Sequence, residues 1–174
     1  MANALIAEFG SLREVVAGSP RRIRRIAGKG VARLMTAHAE LLRCGLIEEV
    51  VARPVLANRD ALFAFLKQEI AFAPRECLLA MFVDTRCGLI KSEIVSLGTV
   101  SSTSVDPFPL FQRGKELGAA AIVLAHNHPS RDAAPSHADI LVTNRLKRIG
   151  YDLEMPLLDH FIVTPGEVNP VPIQ

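Results

Sequence analysis

The chain has 174 residues, 49% of them hydrophobic, and a formal net charge of +2. That length holds one full domain, or one domain plus a short accessory module, around a packed core. The near-neutral balance gives no global reason for nucleic-acid binding. Apolar runs of about seven residues fall far short of the roughly 20 needed to span a bilayer.

Charge is unevenly placed. Residues 1–50 carry eight Lys/Arg against five Asp/Glu, and the remainder carries twelve against thirteen, which puts any basic surface at the N-terminus. Cys44, Cys77 and Cys87 have no metal-type spacing and read as thiols in a reducing cytosol. The opening MANALIAEFG lacks a basic region, a long apolar region and a cleavage pattern, so no signal peptide is expected and the chain reads as cytoplasmic.

In chain order, residues 3–18 read as one helix ending at Gly18. Ser19 and Pro20 open a second, through about Ile26. Gly28 and Gly30 then form a turn, and a third helix runs from Val31 to Cys44 with Gly45 as its stop. Ile47 to Ala57 reads as a connector. Asn58 caps a helix that ends before Pro74. From Glu76 the period changes. Glu76–Asp84 and Leu89–Val100 read as a strand hairpin, with a polar loop over Ser101–Ser104. Pro107–Leu117 predicts a helix made imperfect by Pro109 and Gly114. Ala119–Ala125 predicts a strand, and Ser136–Ile149 a helix closed by Gly150. Leu153 and Leu157–Val163 supply one or two more strands before a Pro/Gly-rich tail. The layout is a helical module over residues 1–50 followed by an α/β domain over 55–168.

The densest chemistry lies in HNHPSRDAAPSHAD, residues 126–139. His126 and His128, two apart at a strand end, share a face. Seven residues on, Ser136 precedes Asp139 in the first turn of a helix. Two imidazoles and a carboxylate suit a catalytic zinc site with one position open for water. Each part has a plainer reading. A strand-end H-x-H is often polar surface, and Ser136-x-x-Asp139 resembles a capping box with Asp in place of Glu or Gln. Capping and ligation need not exclude each other.

H-x-H-x(7)-S-x-x-D resembles the JAMM (MPN+) metallopeptidase signature. The fuller run, with LLDHFIV at 157–163, resembles the bacterial RadC family over most of residues 55–165. The resemblance implies an MPN/JAB-type mixed sheet flanked by helices, with cytidine-deaminase-like layering. It implies His126, His128 and Asp139 as zinc ligands and Ser136 as a donor to a tetrahedral oxyanion. It also implies a first-strand glutamate as general base. Glu76 matches that place best, with Glu93 as runner-up. The alternative for Glu76 is a solvated strand-end acid. Two departures stand out: Arg131 replaces the family's usual Gly in HNHPSG, and Asp106-Pro107-Phe108-Pro109 stands where many members have His-Pro-Arg-Glu. His160 reads as a satisfied structural histidine, or one that faces the site from behind the ligands or faces substrate. His137 reads as exposed, and His38 has no evident partner.

Arg21, Arg22, Arg24, Arg25 and Lys29 crowd around Gly28 and Gly30. The I-x-G-x-G-x-A run resembles a helix-hairpin-helix, whose glycine turn lets backbone N–H groups meet a DNA phosphate. The plainer reading is a helical scaffold with a solvated basic face. The sequence therefore predicts a zinc-dependent hydrolase acting on an amide or isopeptide bond in an unknown protein or peptide. Its alternatives are a DNA-associated protein with weak non-specific binding, and a metal-binding domain without catalysis. A deaminase is disfavoured, because no C-x-x-C exists here.

Overall fold

A computed structural model of the chain describes residues 1–52, 54–97 and 105–172. The expected loop Ser101–Ser104, and the end of the second expected strand past residue 97, lie outside the described residues. The chain forms two compact units, residues 1–48 and 49–174. Among the described residues no helix is long and apolar enough to cross a membrane.

In the first unit the expected helix over 3–18 is two helices, α1 (Ala2–Phe9) and α2 (Leu12–Val16). The break falls at Gly10, and Ser11 caps α2 by accepting the Glu14 N–H at 3.2 Å. Helix α3 (Pro20–Val51) leaves helical geometry only at Gly28, with φ 85° and ψ 171°. Gly30 therefore lies inside a helix rather than in a turn. Gly45 is no stop either, and the helix runs through the expected connector to Val51. Leu5, Val15, Ile23 and Ala32 form this unit's small core.

The second unit begins with a short 3-10 turn (Val55–Ala57) and α4 (Arg59–Ile70), capped as expected by Asn58, which accepts the Ala61 N–H at 3.2 Å. Strands β1 (Cys77–Val83) and β2 (Leu89–Leu97) follow, then α5 (Pro107–Glu116), β3 (Ala121–Asn127), α6 (His137–Asp152), β4 (Leu157–Val163) and β5 (Val168–Pro170). The sheet order is β2-β1-β3-β4-β5. All neighbours are antiparallel except β3 and β4, the parallel pair bridged by α6.

Both sheet faces are covered. Leu78, Ala80, Phe82, Ile122 and Leu124 face Leu110 and Phe111 of α5 and Val142 and Leu146 of α6. On the other face α4 packs against β3 and β4, with Phe63 edge-on to Phe161 at 5.5 Å. Double coverage explains why β1 and the first five residues of β3 are unbroken apolar runs, and why both strands are buried at every residue.

Three departures from the predicted elements have local causes. Pro109 does not disturb α5, because a first-turn residue has no intrahelical N–H bond to lose. The expected tail supplies an edge strand, where Pro170 is tolerated. Gly150 does not close α6, which continues to Asp152; it is small because the chain returns over it. A Cβ there would meet the Met155 carbonyl oxygen at 2.6 Å, whereas one on Gly45 would meet nothing within 4 Å. The two glycines should therefore respond oppositely to alanine. Gly45→Ala should stabilise by about 0.5–1 kcal/mol through helix propensity. Gly150→Ala should destabilise by about 1–3 kcal/mol, since overpacking outweighs the same propensity gain. Urea unfolding of the two variants checks both signs.

Candidate metal centre

β3 ends at the site. Its neighbour β1 pairs Leu78 with His126, and β4 pairs His160 with Leu124. Paired residues share a face, so Leu78, Leu124, His126 and His160 all point toward α6. Asp139 and Thr143, four apart on α6, point back. The geometry brings His126, His128 and Asp139 together, with one ligand atom from each lying within 4.8 Å of the others. His126 Nε2 lies 3.0 Å from His128 Nε2 and 3.2 Å from Asp139 Oδ1, and His128 Nε2 lies 3.5 Å from Asp139 Oδ2.

The capping reading of Ser136 and Asp139 is also correct. Ser136 Oγ accepts the Asp139 N–H at 3.2 Å, and Asp139 Oδ2 accepts the Ser136 N–H at 2.8 Å. The Ser136 hydroxyl donates to the same Oδ2 at 2.6 Å. Asp is long enough for the box here, and the bonds aim its second oxygen at His126. Burial pushes the Asp139 carboxyl up, but its contact with His126 and the hydrogen bonds from Ser136 outweigh that and hold it well below the usual carboxylate range.

Backbone geometry sets the second imidazole. His128 Nδ1 lies 2.7 Å from the Asp132 carbonyl oxygen, which can only accept, so Nδ1 carries a proton while Nε2 faces the site. The loop that delivers this carbonyl turns at Arg131, whose N–H bonds the His128 carbonyl at 3.0 Å and whose φ is 67°. A left-handed residue is thus required where the sequence departs from Gly, and Arg131 adopts it at a steric cost. The ligand positions survive the departure.

Glu76 precedes β1 by one residue and is partly exposed. The β1–β3 pairing ends at Leu78↔His126, so Glu76 lies two residues beyond the last pair, in the segment that leads into β1. Asn127, between the two histidines, points to the opposite face and is fully buried. Its Oδ1 accepts the Cys77 N–H at 2.8 Å and lies 3.1 Å from the Cys77 thiol. Its Nδ2 donates to the carbonyls of Ala73 and Arg75, both at 3.2 Å. These bonds clamp the segment that carries Glu76 onto the strand that carries the histidines. The alternation of H-N-H, with its middle residue facing away, was the available signal for this role. Glu93 is held elsewhere: Arg113 binds it through two contacts of 2.8 Å, and this pairing lowers its pKa to about 2.

His160 is buried against the ligands. Its Nε2 lies 2.9 Å from His126 Nδ1 and its Nδ1 lies 2.7 Å from Thr143 Oγ1. Burial, aided by the charge at His126, pushes its pKa down to about 3, so it is neutral near pH 7. Asp159 turns to the other face, 3.8 Å from Arg59. His137 and His38 are exposed.

The basic residues belong to the first unit. Arg21, Arg22, Arg24, Arg25, Lys29, Gly28 and Gly30 are all exposed. Arg22 and Arg25 both bond Glu8 Oε1, at 2.8 and 3.2 Å, and the Arg22 guanidinium lies 4.7 Å over the Phe9 ring. Part of this charge therefore serves the unit's own packing.

Fold and site together define a helix-covered mixed sheet with a His–His–Asp group at its end, able to hold a metal ion. Residues 56–170 match the sequence profile of the RadC-like JAB domain. A UPF0758 protein of Marinomonas sp. strain MWYL1 is 33% identical over 168 residues, covering 95% of this chain and 75% of its own. One from Burkholderia mallei strain SAVP1 is 34% identical, covering 94% of this chain and 59% of its own. One from Leptothrix cholodnii is 33% identical, with 94% and 74% covered. The chain belongs to the RadC-like JAB domain family, and it spans between about three fifths and three quarters of these relatives.

Asn127→Ala should destabilise the protein by about 1–3 kcal/mol, since the buried Cys77 N–H and the less buried carbonyls of Ala73 and Arg75 lose their partner. Chemical denaturation measures it; a change under 0.5 kcal/mol would remove Asn127 from this role.

Proposed function

We propose that this chain is a zinc-dependent hydrolase of peptide or isopeptide bonds. The observation that carries the reading is the spacing of His126, His128 and Asp139. Four tetrahedral ligands at zinc bond lengths of 2.0–2.1 Å stand about 3.3 Å apart; here the two imidazole Nε2 atoms are 3.0 Å apart, one Asp139 oxygen lies 3.2 Å from His126, and the other lies 3.5 Å from His128. The chemistry of the atoms agrees. Two imidazole nitrogens and a carboxylate converge there, a donor set that suits a divalent cation. Zinc held there supplies a bound water of lowered pKa and a Lewis acid for a carbonyl.

The chain's own residues do the rest. Glu76, one residue before β1, would take a proton from water on a carboxylate oxygen and return it to the leaving amine. Ser136 is exposed, and its hydroxyl can donate only once. At rest it donates to Asp139 Oδ2, so it must turn from that oxygen to stabilise a substrate oxyanion. His126 and Asp139 are buried while His128 and Glu76 are partly exposed, which supports approach of substrate from the Ser136 side.

Elemental analysis of purified protein should find about one zinc per chain, lost in His126→Ala and Asp139→Ala. Glu76→Gln should keep the zinc and lower turnover of a fluorogenic peptide mixture by at least about 100-fold. Absence of zinc with no uptake on dialysis would sink the reading.

The alternative, a DNA-associated protein whose metal domain only binds, rests on the exposed cations around Gly28. It is the weaker reading because Arg22 and Arg25 are already paired with Glu8. It expects salt-sensitive binding of duplex DNA, abolished when Arg21, Arg22, Arg24 and Arg25 are replaced by glutamine. Identical binding by wild type and the quadruple variant would exclude this patch.

A further inference from the structure

Behind the metal ligands runs a closed chain of hydrogen bonds whose polarity can be assigned. The Thr143 Oγ1 lies 2.6 Å from the carbonyl oxygen of Asp139. Two oxygens approach that closely only with a hydrogen between them, and the carbonyl has none, so the Thr143 hydroxyl donates there. That hydroxyl has no second hydrogen to give. The contact of 2.7 Å between Thr143 Oγ1 and His160 Nδ1 must therefore be an Nδ1–H donated by His160. A neutral His160 protonated on Nδ1 has a lone pair on Nε2. The 2.9 Å contact from His160 Nε2 to His126 Nδ1 is then an Nδ1–H donated by His126. In neutral His126 this leaves the lone pair on Nε2, the atom that faces His128 and Asp139.

We propose that Thr143 and His160 are positioning residues that lock His126 with its proton on Nδ1 and its Nε2 lone pair turned into the metal centre. Every member is buried, so no solvent water competes for these bonds. The chain starts from the backbone of Asp139, another ligand, so the α6 turn that presents the carboxylate also sets the tautomer of the imidazole facing it. The opposite polarity would put a hydrogen on His126 Nε2 and close that atom to a metal. His128 receives the same setting from a backbone carbonyl, and the side-chain relay is how His126, deep in the sheet where backbone acceptors are already paired, obtains it.

The inference rests on the metal-site reading and is tested apart from it. In zinc-loaded protein with isotope-labelled histidines, long-range proton–nitrogen correlation spectra should show His160 protonated on Nδ1 and bare on Nε2. A proton on His160 Nε2 would overturn the relay. Competition with a chromophoric chelator should show zinc binding weakened about 10–100-fold in Thr143→Val and in His160→Phe. Thr143→Ser, which restores the hydroxyl, should bind close to wild type. Wild-type affinity in both Val and Phe variants would also overturn it. If wild type binds no zinc, the metal reading fails, and the His160 tautomer in the metal-free protein still decides the relay.

Discussion

Two imidazole nitrogens and the two oxygens of one carboxylate meet at the end of a sheet through contacts of 3.0–3.5 Å, and much of the second unit is arranged around them. Lone pairs at such distances repel in a low dielectric, and burial removes the water that would screen them. The fold brings them together because each is tethered from behind. His126 is fixed by His160, His128 by the Asp132 carbonyl, and Asp139 by Ser136. None of these tethers occupies the space where the three converge. A cation placed there reverses the sign of the local interaction, so the same geometry that opposes the metal-free state favours the loaded one.

The tethers also explain the division of labour along β3. Alternation sends His126 toward α6 and Asn127 toward the opposite face, so neighbouring residues serve different ends. One meets the ligands; the other binds the segment entering β1. Glu76 and the histidines are far apart in sequence, yet one amide side chain connects the segments that carry them. A register slip of one residue would turn the histidines to the α4 face and Asn127 to the site. Apolar burial on both faces, with Phe82 and Leu124 on one and Phe161 on the other, makes such a slip costly.

The grouping of His126, His128 and Asp139 was legible in the sequence because its spacing is local: H-x-H at a strand end and S-x-x-D at a helix start each follow from one element's period. The α/β layering was legible for the same reason, through apolar runs separated by Gly and Pro. Helix ends were less so. Gly45 and Gly150 look like stops, but a helix interior tolerates glycine when a neighbouring backbone needs the room or when nothing is there to exploit the break. The place of His160 behind the site was one of its readings in the sequence, but its contact with Thr143 was not legible. Thr143 is an ordinary helix residue until β4 sets His160 beside it, and that contact depends on the parallel pairing of β3 with β4.

Arg131 shows how far a departure inside the motif reaches. The loop after His128 needs a left-handed residue so that the Asp132 carbonyl can return to His128 Nδ1. Glycine meets that need without strain; arginine meets it with a cost on the order of 1–2 kcal/mol. The conformation persists because the loop is anchored on both sides: Ala133 is buried beside Ile162 and Val171, and Asp132 caps the next turn through the Ala134 N–H at 2.9 Å. The steric cost is therefore borne by the loop and not transmitted to the ligand. What arginine changes is the surface of the loop, where its side chain is exposed, rather than the direction of His128 Nε2. The departure thus bears on what can approach the site, while the capacity to hold a metal follows from bonds that glycine and arginine form alike.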